Sequence, residues 1–180
     1  MLSEALQYSR AAVNAGEWWR FATASFVHWS FNQLLWDGIA FIALGYAAWR
    51  LSRTRFVVAF AASALAIPIC IHLFARNVTT YRGLSGVDSA LFVLVAMLIG
   101  KRARIVLLLF AAKIGFELAT GTTLFVHELA PGVASLPMAH VIGAAIGLLA
   151  QLRLQRPQLL GQSGNGVLES LHAYGEWFSA

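Results

Sequence analysis

Ser85 lies in the run Tyr81-Arg82-Gly83-Leu84-Ser85-Gly86-Val87-Asp88-Ser89, and His140 lies in Ala139-His140-Val141-Ile142-Gly143-Ala144-Ala145-Ile146-Gly147. Each stands at the threshold of an apolar stretch. A serine hydroxyl is a weak nucleophile until a neighbouring base takes its proton, and histidine suits that task because it titrates near neutrality. The chemistry this pair could perform is acyl transfer, with attack of the Ser85 hydroxyl on a carbonyl carbon and proton transfer through His140. A Gly-x-Ser-Gly string alone is common, and a lone serine or histidine near a helix end is more often packing or interfacial. The weight comes from the two together.

For the pair to meet, the elements carrying it must bring them to one depth. Apolar residues make up 59% of the 180-residue chain, against ~45–50% for a soluble domain even with glycine counted. They fall into five stretches, roughly 33–49, 56–74, 84–100, 104–120 and 136–152, each about long enough to cross a ~30 Å hydrocarbon core. The expected fold is an all-α membrane bundle. The third and fifth stretches are separated by one other, so they run in the same direction. Ser85 and His140 fall in the first turn or two of these helices, roughly 3–8 Å below the same face at about 1.5 Å rise per residue. Gly83 and Gly86 permit a tight turn and close backbone approach, and Gly143 with Gly147 forms a small-xxx-small face for helix packing.

Basic residues set the expected orientation. Arg50, Arg53, Arg55, Lys101, Arg102, Arg104, Arg153 and Arg156 fall on one side, against Arg10, Arg20, Arg76 and Arg82 on the other, with Lys113 inside a stretch. The richer side is read as cytoplasmic, which places the C-terminus inside and the Ser85 face outside. The formal net charge of +5 is then a feature of topology and not a nucleic-acid footprint. Cys70, the single cysteine, has no disulfide partner and no zinc-type ligand set beside it. Residues 1–32 are read as an outward-facing segment and loop, 33–152 as the core and 153–180 as a cytoplasmic tail. The opening residues lack the apolar run and cleavage site of a signal peptide, so a helix missing before Met1 is expected.

Three blocks in order resemble the rhomboid family of intramembrane serine proteases, over roughly residues 6–152. The first is Glu17-Trp18-Trp19-Arg20-Phe21-Ala22-Thr23-Ala24-Ser25-Phe26-Val27-His28, similar to the family's Trp-Arg loop and following histidine. The second is Gly83-Leu84-Ser85-Gly86, and the third is the Ala139-His140-x-x-Gly143-x-x-x-Gly147 pattern. The compact size and the lead-in Leu6-Gln7-Tyr8-Ser9-Arg10-Ala11-Ala12 resemble the bacterial branch called rhombosortases. That likeness implies a multi-pass protein of the bacterial inner membrane that cuts glycine-rich C-terminal sorting tails of exported proteins, using Ser85 and His140 and neither metal nor organic cofactor. Its partners would be transmembrane substrates and membrane lipids. The resemblance also implies a six-helix core, of which five helices are visible here. Trp19, Arg20, His28, Gly86, Gly143 and Gly147 occupy motif positions, with His28 read as a brace for the loop.

The departures from the family pattern bear on mechanism. Where rhomboids usually carry a second histidine and an asparagine after the first histidine, this chain has Gln33 and Asp37. Glutamine can still donate to an oxyanion beside the Ser85 amide, whereas an ionised Asp37 cannot. Gly83, Leu84, Gln33, Asp37 and Asp88 form the expected support set. Asp88 is read as a polar contact between helices, with orientation of His140 or a proton shared with Asp37 as the alternative. Ser89 stands where many rhomboids have an aromatic residue against the histidine. Lys113 and Glu117, spaced i, i+4, are read as a structural ion pair. Trp18, Trp19, Trp29 and Trp36 suit the membrane interface, and the end of the tail suits a short surface helix. A catalytically silent client-binding protein and a small transporter are the rival classes. The first would normally have lost Ser85 or His140, and the second leaves their pairing unexplained.

Overall fold

The computed structural model describes residues 2–121 and 136–153. Three short helices, α1 (Leu2–Leu6), α2 (Arg10–Asn14) and α3 (Arg20–Thr23), precede five longer ones: α4 (Phe31–Leu51), α5 (Arg53–Phe74), α6 (Ser85–Ile99), α7 (Arg104–Thr120) and α8 (Pro137–Arg153). The five long helices coincide with the five apolar stretches. Only α4 and α5 are long and apolar enough by themselves to cross a membrane. At 15 to 17 residues, α6, α7 and α8 reach about 22–26 Å at ~1.5 Å per residue, short of a ~30 Å core. Length and apolarity together therefore support two of the five expected spans. The connection expected at 121–135 and the tail at 154–180 lie almost wholly outside the described residues.

α6 is the hub, packed chiefly on α8 and also on α4 and α5, with α7 touching the bundle less extensively. The α6–α8 contact is close because glycine removes the side chain at the crossing. A Cβ at Gly143 would collide with the Gly86 carbonyl oxygen, and one at Gly147 with that of Ala90. Val87, Leu91 and Leu94 of α6 are fully buried, together with Ile67 and Ile71 of α5. Outward positions are apolar as well: Ile42, Ile105, Leu108 and Leu109 are each at least 66% exposed. In water so much apolar surface would drive association; against lipid chains it is at home.

The first thirty residues, expected as a loop, are folded onto one end of the bundle. Tyr8 and Ser9 form strand β1, antiparallel to β2 (Thr80–Tyr81), with Tyr8 opposite Tyr81 and Ser9 opposite Thr80. Helix C-termini leave carbonyls without intrahelical donors, and here Arg10 supplies donors. Its guanidinium donates to the carbonyls of Ile71 (3.0 Å), His72 (2.8 Å), Ala75 (2.9 Å) and Val78 (3.1 Å). Arg20, buried, donates to the carbonyls of Glu4 and Gln7 and pairs with Glu17. Pro68 inside α5 has no N–H, which frees the carbonyl four residues earlier; Ser25 Oγ approaches that carbonyl, of Ala64, at 3.5 Å.

Candidate active site

Ser85 is the first residue of α6, a position where backbone N–H groups have no intrahelical partner and the helix dipole favours negative charge. The turn before it is held from several sides. Gly83 has φ +126°, a conformation side chains rarely adopt. Its N–H donates to the Ala24 carbonyl (3.3 Å) and its carbonyl accepts from Tyr81 Oη (3.0 Å). Burial first, then the nearby Asp37 and Asp88 carboxylates, push the Tyr81 phenol above its usual value, so it remains a protonated donor. Arg82 donates to Gln7 Oε1 (2.6 Å) and stacks over the Trp29 ring at 4.2 Å.

α4 presents two buried side chains one turn apart to this turn. Ser30 caps the helix by accepting from the Gln33 N–H (3.1 Å). Gln33 Oε1 accepts from the Trp29 N–H (2.9 Å), which turns the donor end, Nε2, toward Gly83. Asp37 Oδ2 accepts from the Leu84 N–H at 3.2 Å. Nε2 of His28 stands 3.3 Å from the same oxygen without forming a hydrogen bond. Gln33 is therefore arranged as a donor. Asp37 acts as an acceptor that grips the turn, and His28 is a neighbour of Asp37 whose Nε2 makes no hydrogen bond.

Ser85 Oγ lies 3.1 Å from His140 Nε2, within reach for proton transfer. Ser85 is half-buried and His140 buried. The other ring nitrogen, Nδ1, lies 2.8 Å from Glu117 Oε2, and Glu117 Oε1 accepts from Lys113 Nζ at 2.7 Å. The carboxylate against His140 is thus Glu117 and not Asp88. Asp88 lies on the Tyr81 and Asp37 side of α6 and leaves Oδ1 buried without a hydrogen bond. Ser89, at the position where the resemblance led to an aromatic residue being expected, donates to the Ser85 carbonyl (2.9 Å). The expected Lys113–Glu117 ion pair is present, and because that local partner accounts for Glu117, its contact with His140 is not readable from the i, i+4 spacing. The available signal was depth, since Glu117 sits three residues before the end of α7 and His140 three after the start of α8.

The family model for the Rhomboid domain matches residues 15–157, a span that contains Ser85, His140, Gln33, Asp37 and Glu117. The chain belongs to the rhomboid family. Rhomboids are membrane-embedded and are in general intramembrane serine proteases, in keeping with the apolar α4 and α5. No curated protein matches the chain.

Proposed function

We propose that this rhomboid is an intramembrane serine endopeptidase working through Ser85 and His140. The observation that carries the reading is the 3.1 Å contact between Ser85 Oγ and His140 Nε2, made at the N-terminus of α6 beside an inward-facing glutamine donor. In the proposed reaction Ser85 Oγ attacks the scissile carbonyl while His140 Nε2 takes its proton. The oxyanion is met by the Ser85 N–H and Gln33 Nε2. The proton on Nε2 then passes to the leaving amine as the C–N bond breaks, and water hydrolyses the acyl-enzyme by the same route.

The chain is further read as crossing the bacterial inner membrane five times with its C-terminus in the cytoplasm, on the basis of the arginine and lysine distribution. The site then lies near the outer face. A transmembrane substrate must unwind to expose a carbonyl there, because helical hydrogen bonds otherwise occupy it. The lead-in around Tyr8 and Arg10 supports a rhombosortase-like role on C-terminal sorting tails. In this chain that lead-in builds β1 and caps α5, bracing the strand from which the nucleophile turn leaves.

A fluorophosphonate probe tests the reading without knowledge of the substrate. The full chain in detergent should be labelled at Ser85, and labelling should fall by about 10²-fold or more in His140→Ala. A folded protein that does not react would favour a client-binding rhomboid instead.

A further inference from the structure

Glu117 is the most deeply buried charged residue described, 1% exposed, on a helix that otherwise buries only Ile114. A carboxylate withdrawn from water is costly unless both oxygens are matched. Here they are, by Lys113 on Oε1 and His140 on Oε2. An ionised carboxylate can only accept. The hydrogen between Glu117 and His140 therefore belongs to Nδ1, and Nε2 is left with its lone pair directed at Ser85.

Resting on the protease reading, we propose that Glu117 is the positioning residue of a Ser85–His140–Glu117 triad, and that Lys113 sets which way that side chain faces the histidine. Glu117 holds the imidazole in the tautomer able to accept the Ser85 proton and stabilises the imidazolium formed as the Oγ–C bond is made. It takes no proton itself: Nδ1–H stays on Nδ1 throughout, and the proton gained at Nε2 leaves with the amine. Among the described residues, the charged and titratable groups around His140 are few. Ser85 comes from α6, and Glu117 with Lys113 behind it from α7. Asp37 and Asp88 belong to the contact between α4 and α6 near Tyr81, and His72 on α5 bonds Tyr8.

The lysine gives the proposal a signature that a helix-to-helix tie would lack. In Glu117→Gln the ammonium of Lys113 can be met only by the amide oxygen, so the amide NH2 is turned toward Nδ1. Nδ1 must then accept, the hydrogen moves to Nε2, and the histidine can no longer act as base. Removing the lysine frees the amide to rotate and present its oxygen to Nδ1.

The test uses the full chain in liposomes. It compares wild type, Glu117→Gln, Glu117→Asp, Lys113→Met and the Lys113→Met/Glu117→Gln double variant. Two rates are read from about pH 5 to about pH 9: kcat/KM on a glycine-rich linker joined to a transmembrane helix and basic tail, and fluorophosphonate labelling of Ser85. Glu117→Gln should lose at least ~10²-fold in both rates, as expected when a wrong tautomer is imposed. Glu117→Asp should retain activity within ~10-fold, and the double variant should exceed Glu117→Gln by ~10-fold. Glu117→Gln rates within ~3-fold of wild type would overturn the proposal, as would a double variant no faster than the single one. Should the glutamine variant fail to fold, the folded wild type decides: its NMR spectrum must show a low-field Nδ1–H proton that disappears in His140→Ala, and its absence counts against the triad. Ser85→Ala separates the two levels. If it still cleaves, the protease reading fails. If it is silent while Glu117→Gln is unimpaired, only the positioning role fails.

Discussion

Asp37 on α4 accepts a hydrogen bond from the Leu84 N–H at 3.2 Å, so the residue immediately before Ser85 is tied to a different helix. This bond fixes the start of α6 against α4 at the point where Ser85 must aim at His140. It also gives Asp37 a task other than oxyanion donation: with Oδ2 on a backbone donor and His28 nearby, the side chain serves as an acceptor.

Replacing Asp37 by alanine leaves the buried Leu84 N–H without this acceptor, at a cost of about 1–3 kcal/mol. Asp37→Asn keeps an amide oxygen there. The expectation is a lower thermal midpoint and lower activity for Asp37→Ala, with Asp37→Asn between it and wild type. Thermal unfolding in detergent and initial-rate assays check this, and equal behaviour of alanine and asparagine would remove the acceptor role.

Gln33 makes a different prediction. Its Oε1 is occupied by the Trp29 N–H, so the donor end is what faces the turn at Gly83. Gln33→Leu should lower kcat by ~10²–10³-fold, the range for loss of one oxyanion donor, while KM changes little. Gln33→Glu should be as slow, because at neutral pH it offers no donor. A kcat near the wild-type value in Gln33→Leu would assign oxyanion binding to the backbone alone.

The α6–α8 crossing permits no side chain at Gly143, where a Cβ would meet the Gly86 carbonyl oxygen. Gly143→Ala must push the two helices apart, for about 1–3 kcal/mol of overpacking, and must lengthen the path from Ser85 to His140. Reduced thermal stability and reduced labelling of Ser85 are expected together. Gly115, beside which a Cβ would find open space, is the control, and Gly115→Ala should leave both unchanged.

Much of this architecture was legible in the residues. The apolar stretches located α4 to α8 to within a few positions, because burial in lipid or in the bundle demands continuous apolarity. The parallel course of the third and fifth helices brought Ser85 and His140 to one depth. Length followed as well: the stretches at 84–100, 104–120 and 136–152 fold as helices of 15, 17 and 17 residues, while α4 and α5 extend beyond theirs to 21 and 22. The N-terminal fold was missed because its tertiary bonds are long-range, as with Arg10 on the end of α5. The Lys113–Glu117 pair is legible from its spacing, but the contact of Glu117 with His140 is hidden because a local partner suffices to explain the carboxylate, whereas Asp88 draws notice by its closeness to Ser85 along the chain. Which carboxylate reaches the histidine depends on how the helices are rotated, and periodicity in a uniformly apolar helix such as α7 says little about rotation.

The most direct test is cleavage of a substrate with a glycine-rich linker, a transmembrane helix and a basic tail by the purified chain in liposomes, wild type beside Ser85→Ala. Cleavage by wild type at a bond near the start of the substrate helix, abolished in Ser85→Ala with the fold intact, is the expected result. Cleavage that persists in Ser85→Ala, or a folded wild type that neither cleaves nor reacts with a fluorophosphonate, would contradict it.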